Sequence, residues 1–192
     1  ITVSPTEPPV PTNTPAPTPT SIPGLNVVIS EIQIGGAIST DEFVELYNPT
    51  GKQINLANYY FSYYSCPGPS TCKTDWRDPW RNQKFNNNAK IPANGYFLIG
   101  LDGYPESGGN PNSDWQVYTS KQLASSAGTV AIFPFDPTSA TTSQYAYDNR
   151  VDAVGWGNGI SLYEGVSATT TPAVGESLTR NSSHTDTDNN SS

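Results

Sequence analysis

The sequence predicts an all-β domain, a sandwich or barrel, carried behind an extended N-terminal arm. Three observations lead there. Short runs of alternating apolar and polar residues recur from Leu25 onward, each closed by Gly, Pro, Asn or Ser. Thr, Tyr and Val are frequent while only 14% of the chain is charged, a composition that disfavours long surface helices and favours strands. Eight of the 18 prolines crowd into residues 1–24, which therefore belong to a different kind of structure.

That first segment reads ITVSPTEPPVPTNTPAPTPTSIPG. Proline removes backbone donors and fixes φ, so neither a helix nor a central strand can form there. The expected state is polyproline II, a spacer on the order of 60 Å. Thr12, Thr14, Thr18 and Thr20 lie between prolines and are candidates for O-glycosylation. The chain divides accordingly into an arm, 1–24, and a domain, 25–192. Roughly 168 residues suffice for a domain that buries about two-thirds of its unfolded surface. With no Met in the chain, translation is expected to start upstream of Ile1, together with any leader or anchor.

Within the domain, the alternation of 26–33 (NVVISEIQ), closed by Gly35 and Gly36, predicts the first strand. Residues 42–48 (EFVELYN) alternate as well and run into the turn Pro49–Lys52. Residues 54–57 and 59–64 predict two more strands, followed by a polar insertion over 65–89. Residues 95–100, 116–119, 128–135 and 150–156 complete the series, and 120–127 (SKQLASSA) is the one stretch with a helical turn expected. Strands of this length and punctuation describe a sandwich or barrel.

Two cysteines, Cys66 and Cys72, bracket the turn-rich PGPST. They read as a local disulfide in an oxidising compartment, as two idle thiols in a reducing one, or as half of a metal site. No histidine or second cysteine pair lies near enough in sequence to complete a tetrahedral site.

In this order the segments VVISEIQIGG, DEFVELYNPTGKQINLANYYFSYYS, KIPANGYFLIG, LASSAGTVAIF, RVDAVGWG, ESLTR and DTDNN resemble the lamin-tail domain family. The resemblance runs from about Val27 to Asn190, and its most specific piece is EFVELYNPT at 42–50. It implies an immunoglobulin-like β-sandwich. It also implies an extracellular or cell-surface setting, since bacterial members are typically appended to secreted or surface proteins, where they bind or tether rather than catalyse. The insertion that carries both cysteines, Trp76 and Trp80 departs from the family pattern and leaves the choice of partner undetermined.

The inventory of reactive residues points the same way. His184 is the sole histidine and sits in the polar segment NSSHTDTDNNSS, read as a solvated tail, so no catalytic residue is assigned and the chain is read as non-enzymatic. HExxH, GxSxG, P-loop and GxGxxG motifs do not occur. Glu42 and Glu45, three apart in a strand, point to opposite faces and cannot act as a carboxylate pair. Asp186, Asp188 and Asn190 have the 1-3-5 spacing of a calcium loop, though no Gly and no bidentate Glu complete it. Calcium is the one ligand ion considered, and no cofactor is expected.

Aromatic residues carry the remaining functional weight. Tyr60, Tyr64, Trp76 and Trp80 form a candidate contact set for glycans or a protein partner, with a structural lid and a subunit contact as the competing roles for the two tryptophans. A net charge of -8 with no local Lys/Arg cluster argues against nucleic acid. No apolar run approaches the ~20 residues of a membrane span. Asn181 and Asn190 head two N-glycosylation sequons. Two expectations follow: a structural subunit, in which the arm or an edge strand docks on another copy and builds a filament or surface assembly, or a surface-displayed adhesion module.

Overall fold

The computed structural model describes residues 27–190 apart from 37, 69, 102, 106–110, 118–121 and 167. The arm and its four threonines lie outside the described residues. The strands are β1 (Val28–Ile34), β2 (Glu42–Tyr47), β3 (Ile54–Asn55), β4 (Tyr60–Ser65), β5 (Arg81–Lys84) and β6 (Lys90–Ile91). They continue with β7 (Tyr96–Leu101), β8 (Trp115–Val117), β9 (Ala127–Phe133), β10 (Asp152–Gly157) and β11 (Ser177–Thr179), and one helix, α1 (Ser143–Asp148), precedes β10.

Alternation decides which sheet face is buried, and so the register. In β2 the residues Glu42, Val44 and Leu46 are buried while Phe43, Glu45 and Tyr47 are half-buried. Along β1 the register slips between Ile29 and Glu31, which bulges Ser30 out of the ladder. Its hydroxyl donates to the Glu45 carboxylate at 2.7 Å. One sheet has the order β11-β1-β2-β7-β8, antiparallel except for β7–β8; a second has the order β10-β9-β4-β5; β3 and β6 form a small ribbon.

The two larger sheets pack face to face as the immunoglobulin-like sandwich. Ile32, Val44, Leu46 and Ile99 from one meet Phe61, Tyr63, Val130, Ile132 and Trp156 from the other in a single core cluster. Tyr63 and Trp156 lie parallel there, with ring centroids 6.2 Å apart. β9 is buried along its whole length, because its other face is also covered. On that side Ala127, Ala131 and Phe133 pack with Tyr64, Trp76, Ala146, Ile160 and Leu162. The insertion after β4, α1 and the loop after β10 thus add a third layer over the outer face of the four-stranded sheet.

Three elements differ from the sequence reading. The helix lies at Ser143–Asp148, where Thr142 caps it by accepting the Tyr145 N–H at 2.9 Å; 122–126 is irregular and Ala127 already begins β9. β5 forms inside the polar insertion because β4 supplies a full ladder to it, from Tyr60–Lys84 to Tyr63–Arg81. β11 pairs with β1 over Glu31–Gln33 and brings the C-terminal segment onto the sandwich.

Candidate functional site

The strongest concentration of chemistry lies where β10 starts, at one edge of the sandwich. Asp152 is fully buried and its side chain turns toward the five-stranded sheet. Its Oδ2 accepts the Ile29 N–H at 2.6 Å, and Arg180 Nη2 donates to both of its oxygens at 2.9 Å. One carboxylate therefore ties β10 to β1 and to the residue after β11. Beside it Glu164 is 1% exposed, and its Oε1 accepts from Arg150 Nε at 2.7 Å and from the Ala153 N–H at 2.9 Å. Arg150 stacks its guanidinium over Tyr147, with 4.0 Å to the ring centroid.

Asp186 and Asp188 flank this pair from the C-terminal segment, 3.5 Å from Arg180 Nη1 and 3.7 Å from Arg150 Nη2 respectively. Loss of water on burial pushes the Glu164 carboxyl well above the ordinary carboxylate range, and the like charges of Asp152, Asp186 and Asp188 add to that while Arg150 opposes it. Burial raises Asp152 and Asp188 in the same sense.

Residues 180–190 are not a solvated tail. Asn190 Oδ1 accepts the Gly155 and Glu164 N–H groups at 2.9 and 3.1 Å, and its amide nitrogen donates to Ala153 O at 2.8 Å. The three residues of the 1-3-5 spacing do not converge as one set: Asp186 and Asp188 reach the charged cluster, whereas Asn190 is a backbone clamp with its oxygen already committed. His184 stacks on Tyr47 at a centroid distance of 4.2 Å, and its Nε2 lies 3.0 Å from the Tyr96 hydroxyl. Tyr96 is 47% exposed, so Tyr47, Tyr96 and His184 form an aromatic ledge on the five-stranded sheet.

The four aromatics singled out from sequence separate. Tyr64 and Trp76 are 0% and 5% exposed, so neither can contact a glycan or partner directly. The Tyr64 hydroxyl donates to Trp76 O at 2.6 Å, and the Trp76 ring meets Tyr64, Phe133 and Tyr147 in the third layer. The reason is β9: its second apolar face needs a cover, and the insertion supplies it. Tyr60 is half-buried against that layer, while Trp80 is 44% exposed with Lys73 Nζ 5.9 Å from its ring centroid. Cys66 and Cys72 are joined as a disulfide that closes the insertion next to these rings.

Elsewhere the isolated carboxylates have local roles. Glu42 accepts the Leu123 N–H at 2.7 Å on the buried face of β2, and Glu45 on the opposite face accepts from Ser30. Asp152, Glu164, Arg150 and Arg180 form no motif in the sequence, because Glu164 lies 12 residues beyond Asp152 and Arg180 a further 16 beyond Glu164. The available signal was local: Asp152 sits inside the apolar run VDAVGWG, where an unpaired charge would not be tolerated.

The family model described as Lamin Tail Domain matches residues 20–158 of the chain. Among solved structures, a DUF4876 family protein from Bacteroides thetaiotaomicron is similar, with 17% identity and a TM-score of 0.46, over 70% of this chain and 54% of that one. The chain thus spans about half the length of that protein. No curated protein matches.

Proposed function

The chain belongs to the lamin tail domain family, and from that premise we propose that it is a structural subunit of a cell-surface assembly or filament. The family fold is an immunoglobulin-like sandwich that serves as a non-enzymatic structural or binding module. A disulfide fits an oxidising, extracellular setting, and no helix among the described residues is long and apolar enough to cross a membrane.

The observation that carries the reading is β5. Among the described strands it pairs with β4 alone, leaving its outer row of backbone groups open at the edge of the sheet. Trp80 stands exposed immediately before it. An extended segment of a neighbouring copy can add to such an edge by main-chain hydrogen bonds. The arm, 1–24, is the proposed donor and spacer, with its prolines confining pairing to short stretches. The opposite edge of that sheet is less open, since Thr169 bridges to Trp156 and covers β10.

Sedimentation velocity and electron microscopy of the full chain, beside residues 25–192 alone, test this. Concentration-dependent oligomers or polymers that weaken without the arm support it; a uniformly monomeric particle overturns it. A second reading, adhesion to glycans, is favoured by the Tyr47–Tyr96–His184 ledge, where the exposed Tyr96 ring offers an aromatic surface suited to sugar C–H groups. Binding on a glycan array that Tyr96→Ala abolishes would favour adhesion over assembly.

A further inference from the structure

Asp152, Glu164 and Asp186 each present one carboxylate oxygen, and the three oxygens lie within 4.8 Å of one another. Their clustering alone would be ordinary salt-bridge chemistry with Arg150 and Arg180. Glu164 makes it more. Its Oε1 is taken by Arg150 and the Ala153 N–H, while its Oε2, in a side chain 1% exposed, is buried with no hydrogen-bond partner among the described residues. A buried anionic oxygen left without a donor is costly, and native structures rarely tolerate one. Counted as ionised, Asp152, Glu164, Asp186 and Asp188 exceed their ion-pair partners among the described residues, Arg150 and Arg180, by two negative charges, and that excess is part of what holds the Glu164 carboxyl up.

We propose that this cluster binds one divalent cation of the calcium type, held by Glu164 Oε2 together with a carboxylate oxygen of Asp152 and one of Asp186. The donors are all oxygen, which selects a hard cation over zinc or copper. They come from three separate segments (β10, the loop after it and the C-terminal segment), and oxygens up to 4.8 Å apart can share a centre at calcium's 2.3–2.6 Å. Magnesium demands a strict octahedron at 2.0–2.1 Å and gives up its waters reluctantly, which three carboxylates fixed on separate segments suit less well than calcium's flexible shell. One dication restores neutrality and gives Glu164 Oε2 its missing partner. It also cross-links residues 180–190 to the sandwich, so docking of that segment becomes cation-dependent.

The test uses the full chain treated with a chelator and then titrated calorimetrically with calcium chloride, with magnesium chloride and sodium chloride of matched ionic strength alongside. Thermal unfolding and limited proteolysis of the C-terminal segment follow the same additions. The expected result is a saturable heat for one calcium site, a Tm that rises with calcium concentration and slower cleavage within 180–190. Asp186→Asn, at a partly exposed position that should not impair folding, is expected to weaken calcium binding at least tenfold, while Glu176→Gln leaves it unchanged. No heat and no calcium-specific Tm shift in folded protein overturns the proposal. So does magnesium binding as tightly as calcium, or full affinity in Asp186→Asn.

Discussion

Glu42 shows how much a single residue can hold in a fold with few charges. It opens β2 on the buried face, and burial raises its carboxyl from the ordinary 4.5 to about 7, against the opposing pull of the Leu123 N–H. The folded state therefore holds its proton more tightly than the unfolded chain does. The stability this group contributes is fully present below about pH 4.5 and is lost as pH rises through 7. Glu42→Gln keeps the acceptor for Leu123 and removes the ionisation, so its stability should fall less between pH 5 and 8 than that of the native chain. For each kcal/mol regained at pH 8, Tm should rise by about 2–4 °C, read by calorimetric melts at both pH values. Equal pH slopes in the two proteins would mean that another group controls this window. The sequence placed Glu42 and Glu45 on opposite faces, which follows from strand geometry alone. It could not show that Glu42 faces inward with a partner 81 residues away, because that contact is made by chain return and not by local pattern.

At the scale of elements, legibility tracked where the pairing information sits. β1 and β2 carry their own alternation and β7 an apolar run closed by Gly, and the predicted runs overlap the observed strands to within two residues at each end. β5 reads Arg-Asn-Gln-Lys and has no apolar pattern of its own; it is a strand because β4 templates it. α1 spans six residues, too short for helical periodicity to register, and its visible signal was the Thr142 cap. The third layer was hidden for a similar reason, since its main hint was β9, apolar without alternation over AGTVAIF and so buried on both faces. Within that layer the Cys66–Cys72 bridge spans a sequence separation of 6, a short loop whose closure is worth about 2 kcal/mol. Replacing both cysteines by serine should lower Tm by about 4–8 °C and leave the strand signal in circular dichroism intact. A loss of cooperative unfolding instead would show that the bridge holds Trp76 over β9 and the whole layer with it.

Across the whole molecule, the apolar core brings the two sheets together, and the Asp152–Arg180 pair fixes how their edges meet. Asp152 belongs to the four-stranded sheet, while Ile29 and Arg180 belong to, or directly follow, strands of the five-stranded one. A buried ion pair of this kind is not itself strong evidence for stability, because desolvating both charges offsets much of their attraction. Breaking it is another matter. Arg180→Met leaves the Asp152 carboxylate buried with the Ile29 N–H as its remaining donor among the contacts described, and the cost should be about 3–5 kcal/mol. Arg180→Met combined with Asp152→Leu removes both charges and should be less destabilised than the single variant, despite leaving the Ile29 N–H without its acceptor. Urea unfolding of the native chain, the single variants and the double variant gives the coupling energy directly. If Arg180→Met costs under 1 kcal/mol, water reaches Asp152 and the edge is not sealed. If the double variant is worse than Arg180→Met, the pair contributes net stability and not only register. The outcome bears on the proposed assembly, because docking of a neighbour on β5 alone requires that the β10 edge of the same sheet be closed.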